Sequence, residues 1–483
     1  MRTIAGDNSA GSPVHEGDAQ MAAPYFGLKG LGIAVLFTIA LFWPMASAQG
    51  PLTYFDTAEY VDRGEKIIGV LIDDPGTSQG AGEGTGAASP AEGKTGTKVR
   101  SLPYSLYAFL AGATPLGLYM ICLLQGVAVI WAFFALVPRV PEQSRVPVAI
   151  GVVLVGALSS LPWFVSYVMP DILGAILPIY YICLLGRMDA LFAWQRWVLA
   201  LLTTGTILSH YGNLPLAAFL ALAVLGWRWR KGSLRIGVLL LAAGPVVAAL
   251  SFNFVVGGVV ADEPSAAPKR FPILLARSLE DGPARWYLDD ACDTRDYAIC
   301  DLFEHMPRDI TAFLWAQDGY RTATDDQVEA IRAQENEILW EAFKRYPLEQ
   351  TAALLGNAAL QTVKIGTDNM WPANPAGGVL SPTSLGPPDI DRAKPTTIVL
   401  FDWIVPIATL MAAIACIVAI ASGRIDRSWT RALFLLIAAL VINAFIFGGL
   451  SAPVDRYQGR FAWLIPALLV LSIMRPAKKA TPN

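Results

Sequence analysis

The run IVLFDWIVPIATLMAAIACIVAIA, residues 398–421, decides the fold class, because a single charged residue, Asp402, interrupts an otherwise uncharged stretch. A transmembrane helix needs about 20 consecutive, mostly apolar residues. Comparable runs recur along the chain. They lie at 31–48, 115–137, 148–162, 172–186, 197–210, 214–227, 236–256, 398–421, 432–450 and 461–474. The sequence therefore predicts an all-α polytopic membrane protein with about ten transmembrane helices.

The composition agrees with this class. Of the 483 residues, 54% are hydrophobic and 16% are charged, and the mean hydropathy is +0.47. A soluble globular protein carries about 25% charged residues. The net charge of −3 and the lack of a basic face argue against a nucleic-acid partner. No glycine-rich nucleotide-binding signature or P-loop occurs.

Basic residues set the predicted orientation, because cytoplasmic loops are enriched in Lys and Arg. With the N-terminus inside, they fall on the cytoplasmic side in loop after loop. They are Arg139, Arg145, Arg187, Arg196, Arg228, Arg230, Lys231, Arg235, Arg424, Arg427, Arg431, Arg475, Lys478 and Lys479. This orientation predicts two large extracytoplasmic loops. We expect a multi-pass protein of a bacterial inner membrane.

The predicted organisation follows from these spans. It comprises a disordered cytoplasmic N-terminus at 1–28, a transmembrane region at 29–256, an extracytoplasmic helical loop at 257–397, C-terminal transmembrane helices at 398–474 and a cytoplasmic tail at 475–483. The first extracytoplasmic loop, 49–103, contains a Gly/Ala/Ser/Thr-rich insert at 75–97 that is typical of a flexible segment. Residues 45–49 also resemble a signal-peptidase site, so the first helix is either retained, which we favour, or cleaved.

The second extracytoplasmic loop has a helical pattern from 325 to about 365 but few features of a separate soluble domain. Cys292 and Cys300 lie close together in it. An oxidising compartment favours a disulfide between them, and two free thiols are the alternative. A zinc site is less favoured, because His305 has no evident fourth ligand nearby.

Polar residues collect at the predicted outer ends of the spans, which marks a candidate site. In order they are Asp56, Glu59, Tyr60 and Arg63 after the first span, Arg100 and Tyr104 before the second, Asp171 at the fourth, His210 at the fifth, and Arg456 and Arg460 before the last. Helical spacing places the first four on one face.

This set suits transfer chemistry with a phosphate leaving group. A carboxylate can act as a general base on a hydroxyl, and arginines can hold a phosphate. Simpler interpretations remain open for each residue. Asp56 or Asp171 could be a helix N-cap, His210 could cap a short helix, and the two late arginines could snorkel to headgroups or pair with a loop carboxylate.

The layout resembles the GT-C superfamily of membrane glycosyltransferases, which use polyprenyl- or dolichyl-phosphate sugars. The matching motifs are DTAEY at 56–60, RSLPYSL at 100–106, Pro170-Asp171 and RYQGRF at 456–461. The chain departs from the family pattern at Ser105, where a proline is common, and in the insert 75–97.

The resemblance implies an extracytoplasmic-face glycosyltransferase with a polyprenyl-phosphate sugar donor and a lipid, polysaccharide or protein acceptor. It implies Asp56 as the general base and Glu59 as a second carboxylate that orients the acceptor or a metal. Arg456 and Arg460, with Arg100, would hold the donor phosphate. The other members, Tyr60, Arg63, Tyr104, Asp171 and His210, would line the substrate site. No cofactor is required, although a divalent metal is compatible with the two carboxylates.

Two other functions fit the sequence less well. A transporter or flippase would be expected to show internal repeats and binding residues near the middle of the membrane, and neither is evident. A non-catalytic subunit for assembling envelope polysaccharides would tolerate the loss of Asp56, which the enzyme would not.

Overall fold

A computed structural model of the chain describes residues 28–72, 101–137, 145–260, 263–268, 270–316, 319–373 and 393–473. Several predictions lie outside the described residues. They concern the N-terminal segment before residue 28, the insert 75–97, Arg100, Arg139 and the tail 475–483.

The described chain is mostly helical. Up to residue 260 its helices are α1 (Leu28–Ser47), α2 (Asp56–Ile72), α3 (Leu102–Gly112), α4 (Leu118–Phe134), α5 (Arg145–Leu158), α6 (Leu161–Val165), α7 (Ile176–Gly186), α8 (Ala193–Ser209), α9 (Asn213–Arg230) and α10 (Ile236–Val260). The last part contains α17 (Thr396–Ala421), α18 (Arg427–Asn443), α19 (Arg456–Ala462) and α20 (Leu464–Ile473). Each predicted span overlaps a helix, although the span 148–162 is divided between α5 and α6 and the span 461–474 between α19 and α20.

Three helical segments among the described residues are long and apolar enough to cross a membrane, judged by length and composition. They are Ile236–Val259, Thr396–Ala421 and Arg427–Gly449. Shorter apolar helices occupy Val35–Ser47, Leu118–Phe134, Ala149–Leu158 and Pro170–Gly186. Ten crossings therefore remain a prediction, because the other helices are too short or too polar to qualify by themselves.

The core of this helical assembly surrounds α7, in which every side chain from Ile176 to Leu184 is buried. The first helix belongs to the same core. Trp43 of α1 meets the buried Trp163 of α6 edge-on, with ring centroids 5.1 Å apart. This contact joins α1 to the core of the helical assembly.

Three distant segments are joined by short strands at one end of the helices. Strand β1 (Leu52–Thr53) pairs antiparallel with β2 (Trp371–Pro372). Leu52 also forms a parallel bridge with Tyr167. This pairing holds the start of α2 against the segment that leads into the 3₁₀ helix Pro170–Ala175.

Residues 263–363 form a second helical unit. Its helices are α11 (Ile273–Asp281), α12 (Pro283–Ala291), α13 (Ala298–Leu302), α14 (Ile310–Trp315), α15 (Asp325–Arg345) and α16 (Pro347–Val363). Buried side chains such as Leu275, Leu288 and Ile331 give it a hydrophobic core of its own. The expectation that this loop has few features of a separate domain is therefore wrong.

The continuous helical pattern predicted for 325–365 is also corrected, because the structure divides it into α15 and α16 at Tyr346. Pro347 follows directly, and a proline has no N–H to donate and disfavours a helical conformation in the residue before it. Cys292 and Cys300 form a disulfide with a Cα–Cα distance of 5.7 Å. Both cysteines pack against the core of this unit.

Candidate functional site

The candidate site forms where α2, the 3₁₀ helix Pro170–Ala175 and α19 meet. Backbone bonds fix the first two segments to each other. The amide of Leu52 donates to the carbonyl of Ser166 at 2.8 Å, and the amide of Val168 donates to the carbonyl of Leu52 at 2.8 Å. The Thr57 hydroxyl donates to the Val168 carbonyl at 3.2 Å. These bonds place Asp56 near Asp171.

Arg456 is the first residue of α19 and lies in the middle of the site. Its Nη2 is 3.4 Å from Oδ2 of Asp56. The guanidinium carbon lies 4.3 Å from the ring centre of Tyr54 and 4.9 Å from that of Tyr457. The side chain is buried, and its Nε has no hydrogen-bond partner in the part of the chain that the structure describes. For Arg456, burial therefore argues against snorkelling, and the ion pair with Asp56 is the expected pairing with a carboxylate of the first loop.

Arg460, one turn further along α19, has no exposed surface. Its Nη2 donates to Oδ1 of Asn443 at 2.8 Å. The guanidinium carbon stacks over Phe447 at 4.4 Å and Phe461 at 4.7 Å. Burial lowers the pKa of Arg460 to about 10, so the group is still a cation at neutral pH. Its Nε and Nη1 find no hydrogen-bond partner among the described residues.

Asp171 supplies a second carboxylate. It is 2% exposed, and its Oδ1 accepts no hydrogen bond from the described chain. The side chain is within electrostatic range of Arg456, Arg460 and Asp56. The N-cap interpretation of Asp171 is wrong, because the extended residue Met169 precedes the 3₁₀ helix as its cap.

Asp56 lies at the first position of α2, and its side chain is 13% exposed. It is therefore inside the helix start rather than at the N-cap. The predicted spacing along α2 is confirmed. Glu59 and Arg63 on this helix are half-buried, and Tyr60 is buried, with its ring 4.9 Å from that of Tyr104.

Tyr104 adds another aromatic ring beside Tyr60 of the site. Its ring also lies 5.4 Å from that of Tyr107. The hydroxyl of Tyr104 is buried and has no hydrogen-bond partner within the described ranges. Tyr104 is also within electrostatic range of Asp171, so this hydroxyl is a further polar atom facing the same region.

His210 has a structural role that the sequence left open. It is the C-cap residue of α8, and its Nδ1 accepts a hydrogen bond from the amide of Gly212 at 3.2 Å. Its ring packs on Phe447 with centroids 5.0 Å apart. The capping interpretation is therefore supported. His210 contributes to the site indirectly, because it packs on Phe447, whose ring also stacks on Arg460.

Two asparagines were missed by the sequence reasoning. Asn443 accepts from Arg460 and donates to the Tyr457 carbonyl at 2.8 Å and to Oε1 of Gln458 at 2.7 Å. Oδ1 of Asn369 accepts from the amide of Arg456 at 3.4 Å. Asn443 could have been found as the amide within the apolar run 432–450, since polar groups there are costly without partners.

The sequence left open whether Asp56 and Glu59 of α2 bind a divalent metal ion. Across the described residues, no group of three or more His, Cys, Asp or Glu side chains is arranged to hold a metal ion. The site thus consists of the carboxylates of Asp56 and Asp171, the buried guanidinium groups of Arg456 and Arg460, and the aromatic rings around them.

Comparison of the chain with models of protein families, with characterised proteins and with solved structures finds no match.

Proposed function

We propose that this chain is a membrane-embedded glycosyltransferase that moves a sugar from a polyprenyl-phosphate donor to a lipid, polysaccharide or protein acceptor. The observation that carries the proposal is the unused hydrogen-bonding capacity of Arg456 and Arg460 beside Asp56 and Asp171. Buried polar atoms in native proteins nearly always have partners, and a cluster of exceptions calls for an explanation. An anionic ligand that accepts from these N–H groups supplies one.

A phosphate is the ligand that suits the two arginines best. Guanidinium groups donate charge-assisted hydrogen bonds to phosphate oxygens and are favoured at such sites. Arg456 and Arg460 are buried beside aromatic rings, and electrostatic contacts are stronger in such a low-dielectric environment. The same contacts would stabilise negative charge as the bond to the phosphate breaks.

Asp56 is the better placed of the two carboxylates to act as the base. It is partly exposed, whereas Asp171 is buried, so an acceptor hydroxyl from the aqueous side reaches Asp56 more easily. In the proposed step Asp56 takes the hydroxyl proton, the acceptor oxygen bonds to the anomeric carbon, and the bond between that carbon and the phosphate oxygen breaks. The polyprenyl phosphate leaves with both bonding electrons, held by Arg456 and Arg460.

The proposal includes a ten-span topology in a bacterial inner membrane, with the site facing the periplasm. Three membrane-length helices and four shorter apolar ones support a membrane location, and the proposed orientation rests on the basic residues of the predicted cytoplasmic loops. Glu59 and Arg63 would border the acceptor side, because they lie one and two turns beyond Asp56 on α2 and are half-buried. Tyr60 and Tyr104 would pack beneath the sugar.

The experiment is a transfer assay on the purified protein with radiolabelled polyprenyl-phosphate sugars and a crude cell-envelope acceptor. We expect Asp56→Asn to lower transfer by about 10²-fold or more, the usual range for loss of a general base. The matched control is Glu65→Gln, which removes an exposed carboxylate from the same helix and should leave transfer unchanged.

Thermal unfolding of each variant separates loss of chemistry from loss of fold. Transfer that survives Asp56→Asn would retain the enzyme class and reject Asp56 as the base. Absence of transfer by the wild-type protein with every donor would favour a transporter or an assembly subunit instead.

A further inference from the structure

Helix α16 differs in composition from the helix before it. Between residues 350 and 363 it contains no Asp, Glu, Lys or Arg. Helix α15 carries acidic residues such as Asp325, Asp326 and Glu329 on its exposed surface. Charged residues are expected on a helix surface that faces water, so the two helices of the same unit indicate different surroundings.

One face of α16 packs on the end of a membrane-length helix. It lies against the π-helical segment Ala444–Gly449, which ends the apolar run Arg427–Gly449. The packing is close, because a Cβ added at Gly448 would lie 2.8 Å from the carbonyl oxygen of Asn357 and one at Gly449 would lie 3.1 Å from that of Leu354. Helix α16 therefore lies at the level where this helix ends.

The opposite face of α16 is apolar and exposed. Leu348 is 80% exposed, Leu355 56% and Val363 67%. Just before the helix, Trp340 and Phe343 are exposed and stacked, with ring centroids 5.9 Å apart. An apolar surface of this extent marks an interaction site, and exposed tryptophan beside it is typical of the membrane–water interface.

Helix α18 indicates what covers this face. Its exposed side chains Phe434, Ile437, Val441 and Phe445 follow one another at three- or four-residue spacing, which forms one stripe along the helix. On a helix that crosses a bilayer, such a stripe contacts acyl chains. The stripe reaches Phe445 in the segment on which α16 packs, so α16 lies beside the end of this stripe.

We propose that α16 is an interfacial helix whose face of Leu348, Leu355, Leu360 and Val363 lies against the acyl chains of the outer leaflet. The covering partner is bilayer lipid, because α16 packs beside the end of a lipid-facing stripe and carries no charged residue between 350 and 363. This inference rests on α18 crossing the bilayer, a part of the proposed topology, and is independent of the transfer reaction. It fixes the second unit at the membrane surface beside the loop that presents Arg456.

Fluorescence quenching tests the proposal on the full-length protein in nanodiscs of phosphatidylethanolamine and phosphatidylglycerol. A bimane label is attached at Leu355→Cys, and a matched label at Glu329→Cys on α15, which is also exposed. The unpaired native cysteines among the described residues, Cys122, Cys183 and Cys416, are buried, and the unsubstituted protein gives the labelling background. Each sample is quenched with lipid nitroxide on the acyl chain and, separately, with aqueous iodide.

We expect the label at position 355 to be quenched several-fold more by the lipid nitroxide than the label at position 329, and several-fold less by iodide. Equal iodide quenching at the two positions would overturn the proposal and place α16 in water. Protection from both quenchers would also overturn it, because the face would then be covered by protein, such as a second copy. Leu348→Cys repeats the measurement if the first variant fails to fold. Neither quenching measurement depends on transfer activity.

Discussion

Gly174 brings the backbone of the 3₁₀ helix Pro170–Ala175 close to the guanidinium of Arg460. A Cβ built there would lie 3.2 Å from the guanidinium carbon, Nε and Nη1 of Arg460. Such a distance is tighter than ordinary van der Waals contact, and Asn443 and Phe447 restrict the movement of Arg460 on its other sides. Gly174 thus sets the space that this side chain occupies.

We expect Gly174→Ala to displace Arg460 by a few tenths of an ångström and to raise the KM for the donor roughly tenfold, since displacements of this kind are costly at reacting groups. The measurement is donor-dependent transfer kinetics. The control is Gly186→Ala at the end of α7, where an added Cβ meets no heavy atom within 4 Å. Unchanged KM in Gly174→Ala would show that Arg460 does not touch the donor.

At the scale of elements, α16 determines the position of the loop that precedes Arg456. The side chain of Gln361 is fully buried. Its Nε2 donates to the carbonyl of Val454 at 2.9 Å, and its Oε1 accepts from the amide of Val454 at 2.9 Å. Asp455 is held as well, because its Oδ1 accepts from the amide of Gly366 at 2.9 Å. The second unit therefore fixes both residues before Arg456.

We expect Gln361→Leu to leave the amide and carbonyl of Val454 without partners, at a cost of about 1–3 kcal/mol. If the lost hydrogen bonds displace the loop before Arg456, the KM for the donor should rise about tenfold or more, while kcat changes less. Gln361→Glu retains the acceptor for the Val454 amide and should recover part of the loss.

The control for this element is Thr362→Val, one residue further along and exposed. It should leave both kinetic constants unchanged. A fall in thermal stability of Gln361→Leu with wild-type kinetics would mean that Gln361 supports the fold and has no effect on Arg456.

Across the whole molecule, the two ends of α18 lie in chemically distinct surroundings. At its start, Arg431 lies 5.7 Å from the ring centre of Trp227, and Lys231 of the loop after α9 lies 5.4 Å from the same ring. Basic residues at the end of α9 and at the start of α18 therefore both contact the ring of Trp227. At its other end, the segment Ala444–Gly449 meets α16 of the second unit. The proposed orientation would place the basic end on the cytoplasmic side and the end at α16 on the outer side.

Cysteine labelling in whole cells tests that orientation. We expect Glu329→Cys in α15 to react with a membrane-impermeant maleimide in intact spheroplasts, because the second unit would face outward. Arg235→Cys, an exposed position in the basic loop before α10, should react only after the membrane is permeabilised. The opposite pattern would reverse the topology, and labelling of both positions in intact cells would contradict α18 as a crossing helix.

Hydropathy alone predicted the helices of the apolar spans and the polar residues at their outer ends. Hydropathy and helical spacing are local properties, so every predicted span overlaps a helix and Asp56, Asp171, Arg456 and Arg460 could be named in advance. Pairing of Cys292 with Cys300 was equally accessible, because eight positions separate them.

The contacts among these residues depend on tertiary packing and could not be predicted from local patterns. Asp56 and Arg456 are 400 positions apart, and no local pattern states that they share an ion pair. The burial of Arg460, its bond to Asn443 and the capping role of His210 depend on packing between helices that are distant along the chain. The core of the second unit was missed for the same reason, because its short helices become a domain only when their apolar faces meet.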